Sequence, residues 1–71
     1  MNFSERVLEL RKIKNLTQND VAKITGLSVK QVQRYEKGSH FPSLPTAIVL
    51  ADYFDVSLDY LAGRSDEMKK T

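Results

Sequence analysis

The sequence predicts an all-α domain built from five short helices. Apolar residues recur at helical spacing, and no stretch shows the strict alternation that is typical of strands. Residues that cap helix N-termini precede these apolar stretches, and glycines follow three of them. The chain has 71 residues and no cysteine, so neither disulfides nor thiolate metal sites can support it. The fold must therefore depend on the packing of its helices.

Capping-box patterns begin the first two helices. Asn2 with Glu5 precedes the first helix, and Thr17 with Asp20 precedes the second. The apolar residues at helical spacing are Phe3, Val7, Leu10 and Ile13 in the first helix, and Val21, Ala22 and Ile24 in the second. Gly26 ends the second helix, because glycine readily adopts the left-handed conformation found at helix C-termini.

The third helix is predicted to have two different sides. Ser28 with Gln31 is the closest match to a capping box in the chain, and Gly38 ends the helix. At about 100° per residue, Val32 and Tyr35 fall on one side. The opposite side carries four long polar side chains, three of them cationic: Lys30, Gln33, Arg34 and Lys37. An ordinary solvated surface would show the same stripe, so this helix alone does not decide a function.

Two further helices follow a break at Pro42. Ser43 precedes the fourth helix, whose first turn tolerates Pro45, and Ser57 precedes a short fifth helix that ends at Gly63. The apolar residues that mark the fourth helix are Leu44, Ala47, Ile48, Ala51 and Phe54. The sequence therefore predicts one domain over residues 1–63.

Charge is divided unevenly along the chain. Residues 11–37 contain seven basic and two acidic residues, whereas residues 41–63 contain three acidic residues and no basic ones. This asymmetry predicts one basic face and one neutral-to-acidic end. Residues 64–71 are polar, and we expect them to form a frayed C-terminal tail.

Catalytic chemistry is not predicted. The chain has one histidine, His40, no cysteine and no clustered carboxylates, which leaves no nucleophile, general base or metal-ligand set. We expect no enzyme activity, cofactor, metal or small-molecule ligand. The longest apolar stretch has only a few residues and the charged N-terminus does not resemble a signal peptide, so we expect a cytoplasmic protein without membrane contact.

The segment from Gln18 to Tyr35 resembles the helix-turn-helix of the Cro and lambda-repressor-like family, also called XRE. The residues that carry this resemblance are Gln18, Val21, Ala22, Gly26, Leu27, Val32 and Tyr35. Residues 34–38 and 42–63 also resemble the end of that family's third helix and its last two helices. The resemblance implies a compact five-helix DNA-binding domain in which the second and third helices form the helix-turn-helix.

The resemblance also implies roles for three groups of residues. The residues expected to contact base edges in the major groove are Ser28, Val29, Lys30, Gln33 and Arg34. The residues expected to contact phosphates are Gln18, Asn19 and Lys37. Arg11 and Glu36 match a structural ion pair that joins the first helix to the third.

The predicted function is that of a sequence-specific regulator of transcription, most simply a repressor, which binds double-stranded DNA as a homodimer on a palindromic operator. A dimer contact is expected at Leu58, Tyr60 and Leu61, because so short a helix cannot turn all three inward and at least one should be exposed. The competing interpretation is that these residues close the core over Phe54 and Val56, which we favour for Leu61. The alternative is a protein-binding module of the same fold, an antitoxin or adaptor, in which DNA binding is secondary. Apolar anchors on the third helix would favour that alternative, whereas its cationic stripe favours DNA.

Overall fold

A computed structural model describes residues 2–69 and shows the five predicted helices. They are α1 (Phe3–Ile13), α2 (Gln18–Thr25), α3 (Val29–Lys37), α4 (Leu44–Phe54) and α5 (Leu58–Ala62). Helix α3 packs against α1 and α2, and α5 packs against α1 and α4. Helix α1 thus joins the α2–α3 pair to the C-terminal helices. No strand forms within the described residues, and none of their helices has the length and apolarity needed to cross a membrane.

The predicted caps account for most of the helix starts. Complete capping boxes begin α1, α2 and α3 at Asn2, Thr17 and Ser28. Ser57 caps α5 by accepting a hydrogen bond from the backbone N–H of Tyr60. Ser43 lies at the N-cap of α4, but its hydroxyl donates to Thr46 Oγ1 at 3.2 Å and accepts no backbone N–H. The side-chain cap predicted at Ser43 is therefore wrong.

The buried core draws on every helix. Its residues are Phe3, Val7, Leu10, Val21, Ala22, Val32, Tyr35, Leu50, Ala51, Phe54, Val56, Tyr60 and Leu61. Four apolar residues that share helical spacing with the core are exposed instead: Ile13, Ile24, Leu44 and Ile48. Ile13 and Ile24 lie in the last turns of short helices. Helix α4 is apolar on nearly all sides, so spacing alone cannot identify the side that Leu50, Ala51 and Phe54 bury.

Two of the three residues predicted for a dimer contact belong to the core. Tyr60 and Leu61 are only 3% and 0% exposed, because α5 turns them toward α1 and α4. This corrects the prediction for both side chains, which are not available to a second copy of the chain. Leu58, at the start of α5, is 37% exposed and is the one member of the group left at the surface.

The prediction of a frayed tail is wrong for residues 64–68, and residues 70 and 71 lie outside the described residues. The backbone N–H of Ser57 donates to the carbonyl of Met68 at 2.8 Å, and the guanidinium of Arg6 contacts the carboxylate of Asp66 at 2.7 Å. These bonds hold the segment against α1 and the start of α5. Polar composition predicted solvation, but it could not show that a buried arginine on α1 provides a partner.

Candidate nucleic-acid interface

Helices α2 and α3 form a helix-turn-helix around Gly26. This glycine ends α2 at φ 75°, and the following N–H of Leu27 returns to the carbonyl of Ala22 at 3.0 Å. A Cβ at Gly26 would have no atom within 4 Å, so the turn requires glycine for its left-handed backbone and not for space. Val32 and Tyr35 bury the inner side of α3 and set its angle against α2.

The outer side of α3 is exposed and cationic. Its exposed long polar residues are Lys30, Gln33, Arg34 and Lys37. Val32 and Tyr35, on the inner side, are 1% and 7% exposed. The acidic residue of α3, Glu36, is half-buried and paired with an arginine, so it does not neutralise this stripe. The arrangement presents hydrogen-bond donors and positive charge to whatever α3 meets.

Ser28 and Val29, two of the residues predicted to contact bases, already make contacts within the fold. The hydroxyl of Ser28 accepts the N–H of Gln31 at 3.1 Å and donates to the Gln31 side-chain oxygen at 3.3 Å. Val29 is half-buried and packs against the core. Lys30 and Arg34 have exposed side chains, so the polar capacity of α3 for an external ligand is concentrated from Lys30 onward.

Arg11 and Glu36 form a two-pronged ion pair between α1 and α3. Arg11 Nε lies 2.6 Å from Glu36 Oε2, and Arg11 Nη2 lies 3.0 Å from Glu36 Oε1. A third bond runs from Arg11 Nη1 to the carbonyl of Leu16 at 2.9 Å. The hydrogen bonds to Glu36 raise the pKa of Arg11 above its ordinary value. Only 16% and 7% of the two side chains are exposed, so the pair fixes α3 against α1.

Gln18, the first residue of α2, is held between two residues of α3. Its amide Nε2 donates to Glu36 at 3.0 Å, and its Oε1 accepts from Gln33 Nε2 at 3.3 Å. An amide nitrogen carries two hydrogens, so Gln18 and Gln33 each keep one donor for an external group. The sequence predicted these two residues as separate contacts and did not show that they touch.

Two open hollows flank Gln18. One, of about 700 Å³, is lined by Arg11, Lys12, Asn15, Leu16, Thr17 and Gln18. The other, of about 490 Å³, is lined by Leu8, Gln18, Gln33, Glu36 and Lys37. Asn19 is exposed beside them on α2. Lys12 and Asn15 were missed as candidate contacts, although the run of basic residues at the end of α1 pointed to this region.

A different surface, formed by the start of α1, the loop before α4, α4 and α5, is apolar. A cleft of about 320 Å³ is lined by Asn2, Phe3, Phe41, Pro42, Ala47, Leu58, Leu61 and Ala62. Phe41 is 70% exposed and Leu58 is 37% exposed. We name this surface the apolar cleft. Phe41 was not predicted as part of a binding surface, although its size and apolarity beside Pro42 could have indicated one.

Comparison with known proteins gives both family and fold matches. A family model described as Helix-turn-helix matches residues 7–61. One relative is the cryptic phage CTXphi transcriptional repressor RstR of Vibrio cholerae, 34% identical over 64 residues, which are 90% of this chain and 57% of the relative. Another is the HTH-type transcriptional regulator AnsR of Bacillus subtilis, 39% identical over 67 residues, which are 94% of this chain and 57% of the relative.

A solved structure agrees with these matches. The crystal structure of a transcriptional regulator from Listeria innocua superposes with a TM-score of 0.84 at 28% identity, covering 99% of this chain and 65% of that one. This chain spans 57% of the length of each of the two curated relatives.

Proposed function

The chain belongs to the helix-turn-helix family of the Cro and lambda-repressor-like, or XRE, type, and on that premise we propose that it is a sequence-specific DNA-binding regulator of transcription, most simply a repressor. The observation that carries this proposal is the exposed cationic stripe of α3. That stripe is backed by buried Val32 and Tyr35 and fixed to α1 by the pair of Arg11 with Glu36. A helix presented in this way fits the major groove of double-stranded DNA.

The side chains of α3 and α2 divide between base and phosphate contacts. Lys30 and Arg34 donate to guanine O6 and N7, and Gln33 pairs with adenine through the donor and acceptor capacity it retains. The remaining N–H of Gln18 binds a phosphate, and Asn19 and Lys37 bind flanking phosphates. Ser28 and Val29 contribute less to base contacts, since capping and packing occupy them.

We also propose that two copies bind a palindromic operator. One helix-turn-helix reads few base pairs, which gives little discrimination among genomic sites. Two copies related by a two-fold axis place their α3 helices roughly 34 Å apart, in successive major grooves. The apolar cleft, with exposed Phe41 and Leu58, supplies a surface outside α3 for the contact between copies.

The first experiment selects bound sequences from a random duplex pool and then compares variants on the selected site. Arg34→Ala and Lys30→Ala should each lose about 1–3 kcal/mol at one base pair and relax preference there. Gln18→Ala should weaken binding to all duplexes alike. Lys69→Ala, which removes a cation outside α2 and α3, is the control. It should change neither the affinity nor the base preference. If the variants at 30 and 34 keep wild-type preference, α3 does not contact the bases.

The second experiment compares a full palindrome with an isolated half-site. The wild type should prefer the palindrome, and Leu58→Glu should lose that preference because it places a charge in the apolar cleft. Val49→Glu is the control, because Val49 is an exposed residue of α4 that does not line the cleft. Equal wild-type binding to both duplexes, with one subunit on each, would refute the homodimer.

The third experiment separates DNA binding from the alternative of a protein-binding module. Log affinity should fall with log salt at a slope near −0.9 for each neutralised phosphate. The exposed apolar cleft would suit a protein partner as well as a second copy of the chain. A flat salt dependence together with no selected sequence would support that alternative.

A further inference from the structure

Arg6 is a buried cation that the DNA-binding proposal does not use. It is 5% exposed on α1, and its guanidinium carbon lies 3.9 Å from the centre of the Tyr60 ring. Its Nη2 contacts the carboxylate of Asp66 at 2.7 Å and the carbonyl of Ser65 at 3.4 Å. Burial opposes the charge, but the contacts to Asp66 and Tyr60 more than compensate, so the pKa of Arg6 lies above its ordinary value.

Ser57 holds the same segment through backbone bonds. Its N–H donates to the carbonyl of Met68 at 2.8 Å, and its hydroxyl donates to the carbonyl of Glu67 at 3.2 Å. The same hydroxyl accepts the N–H of Tyr60 at 3.0 Å and so caps α5. Ser57 therefore both caps α5 and holds the tail. Attachment of the tail thus depends on the conformation of the first turn of α5.

The tail provides support that α5 cannot generate alone. A five-residue helix has too few internal hydrogen bonds to be stable without tertiary contacts. Loss of the tail would remove two bonds from Ser57 and the closer of the two carboxylates beside buried Arg6. Asp66 lies 2.7 Å from Arg6 Nη2, and Glu9 Oε1, on α1 itself, lies 3.9 Å from Arg6 Nη1. The side chain of Asp66 is 98% exposed, so it is already hydrated and loses little when the tail leaves. The tail can therefore detach reversibly, and its detachment should destabilise α5.

We propose that Arg6, Tyr60 and Ser57 form a docking site for an extended acidic segment, filled by residues 65–68, and that its occupation positions α5 for pairing of two copies on DNA. The link is Leu58, which directly follows Ser57 and lines the apolar cleft. The pairing half of this inference rests on the proposed homodimer. The docking half depends only on contacts within one chain.

The docking site is tested first, without DNA, in the full chain. Asp66→Asn should raise the hydrogen-exchange rate of the Ser57 N–H and tryptic cleavage after Arg64 by about tenfold, because a charge-assisted bond is lost. Glu67→Gln removes the same charge from a side chain that does not contact Arg6, and should leave both rates unchanged. Asp66→Glu should restore protection. Equal protection in Asp66→Asn and the wild type would overturn the docking site.

The coupling to pairing is then measured on the same variants. Asp66→Asn should reduce the preference for a full palindrome over a half-site while half-site affinity stays at the wild-type level, and Glu67→Gln should keep the preference. If the tail is released but the preference persists, the coupling is overturned and the proposed function stands. If the wild type itself shows no preference, the homodimer and the coupling both fail, and the exchange result still decides the docking site.

Discussion

Two arginines of α1 attach distant parts of the chain in different ways. Arg11 pairs with Glu36, 25 residues later in α3, and Arg6 pairs with Asp66, 60 residues later in the tail. Both arginine side chains are largely buried, at 16% and 6% exposed. Their partners differ, because Glu36 is 7% exposed and Asp66 is 98% exposed. The ion pair of Arg11 with Glu36 is enclosed by protein, whereas the ion pair of Arg6 with Asp66 has a solvent-exposed carboxylate.

This difference assigns the two attachments different roles. A pair in which both charges are buried must stay together, because either charge alone would be left without water or partner. A pair with one exposed carboxylate can open at lower cost, since that carboxylate regains its hydration. The end of the molecule that carries α3 is therefore the rigid one, and the end that carries α5 and the tail is the adjustable one.

The largest expected effect comes from Arg11→Met. It leaves Glu36 buried without its cation, and we expect the free energy of unfolding to fall by about 3 kcal/mol in urea titrations. The bond from Gln18 to Glu36 is left in place, so α3 should lose its polar contact with α1 and keep the one with α2.

The control is the double variant Arg11→Met with Glu36→Leu, which removes both charges. Its loss of unfolding free energy should be smaller than the sum of the losses in the two single variants. Additive losses would mean that the two side chains do not act as a pair.

A smaller effect is expected from Arg6→Met. The methionine still covers Tyr60. Asp66 is already 98% exposed, and Glu9, the other carboxylate beside Arg6, is 29% exposed, so neither is left fully buried without a cation. The loss of unfolding free energy should be roughly half of that for Arg11→Met or less. The same urea titrations compare the two variants directly. A loss at Arg6 that equals or exceeds the loss at Arg11 would contradict the distinction between enclosed and open pairs.

The sequence was sufficient for the helices because their start and stop signals are local. Asn2, Thr17 and Ser28 bond to groups three residues away, and Gly26 and Gly38 adopt the left-handed conformation by themselves. The buried side of α4 was predicted only in part: Ala51 and Phe54 are buried as expected, whereas Leu44 and Ile48 are exposed. Most residues of α4 are apolar, so spacing alone does not identify the buried side. Its orientation depends on which neighbours it meets, and that information is not local.

Helical spacing was sufficient to predict the exposed stripe of α3, but pairs of side chains from different helices were predictable only where a family pattern supplied the partner. Arg11 and Glu36 were assigned together because both match an ion pair of that family. Arg6 looks like any polar residue of an amphipathic helix, and its partner Asp66 lies in a tail whose composition predicts solvation. The contact between Gln18 and Gln33 was also invisible, since it depends on the distance between two helices.

Salt should separate the two arginine pairs further. At about 1 M salt the screening length is roughly 3 Å, so the open pair of Arg6 with Asp66 weakens and tryptic cleavage after Arg64 should speed up a few-fold. An unstructured peptide with the same Arg–Ser bond corrects for the effect of salt on the protease. The Nε–H signal of Arg11, bonded to Glu36, should stay protected from exchange. Unchanged cleavage would show that the backbone bonds of Ser57 alone hold the tail.

The smallest effect concerns Asp20, an acidic residue in the first turn of α2 whose hydrogen-bond partner is neutral. Its carboxylate accepts the backbone N–H of Thr17, which lowers its pKa below the ordinary 3.8. A lowered pKa means that the stabilisation is present above 3.8 and is lost as the pH falls through the folded value. In urea titrations at a series of pH values, Asp20→Asn should lose less free energy of unfolding than the wild type as the pH falls below 3.8. The difference should be small, because the group is exposed to solvent. An equal loss in the two proteins would mean that the cap of α2 does not depend on this charge, as in α3, where neutral Gln31 takes the same position.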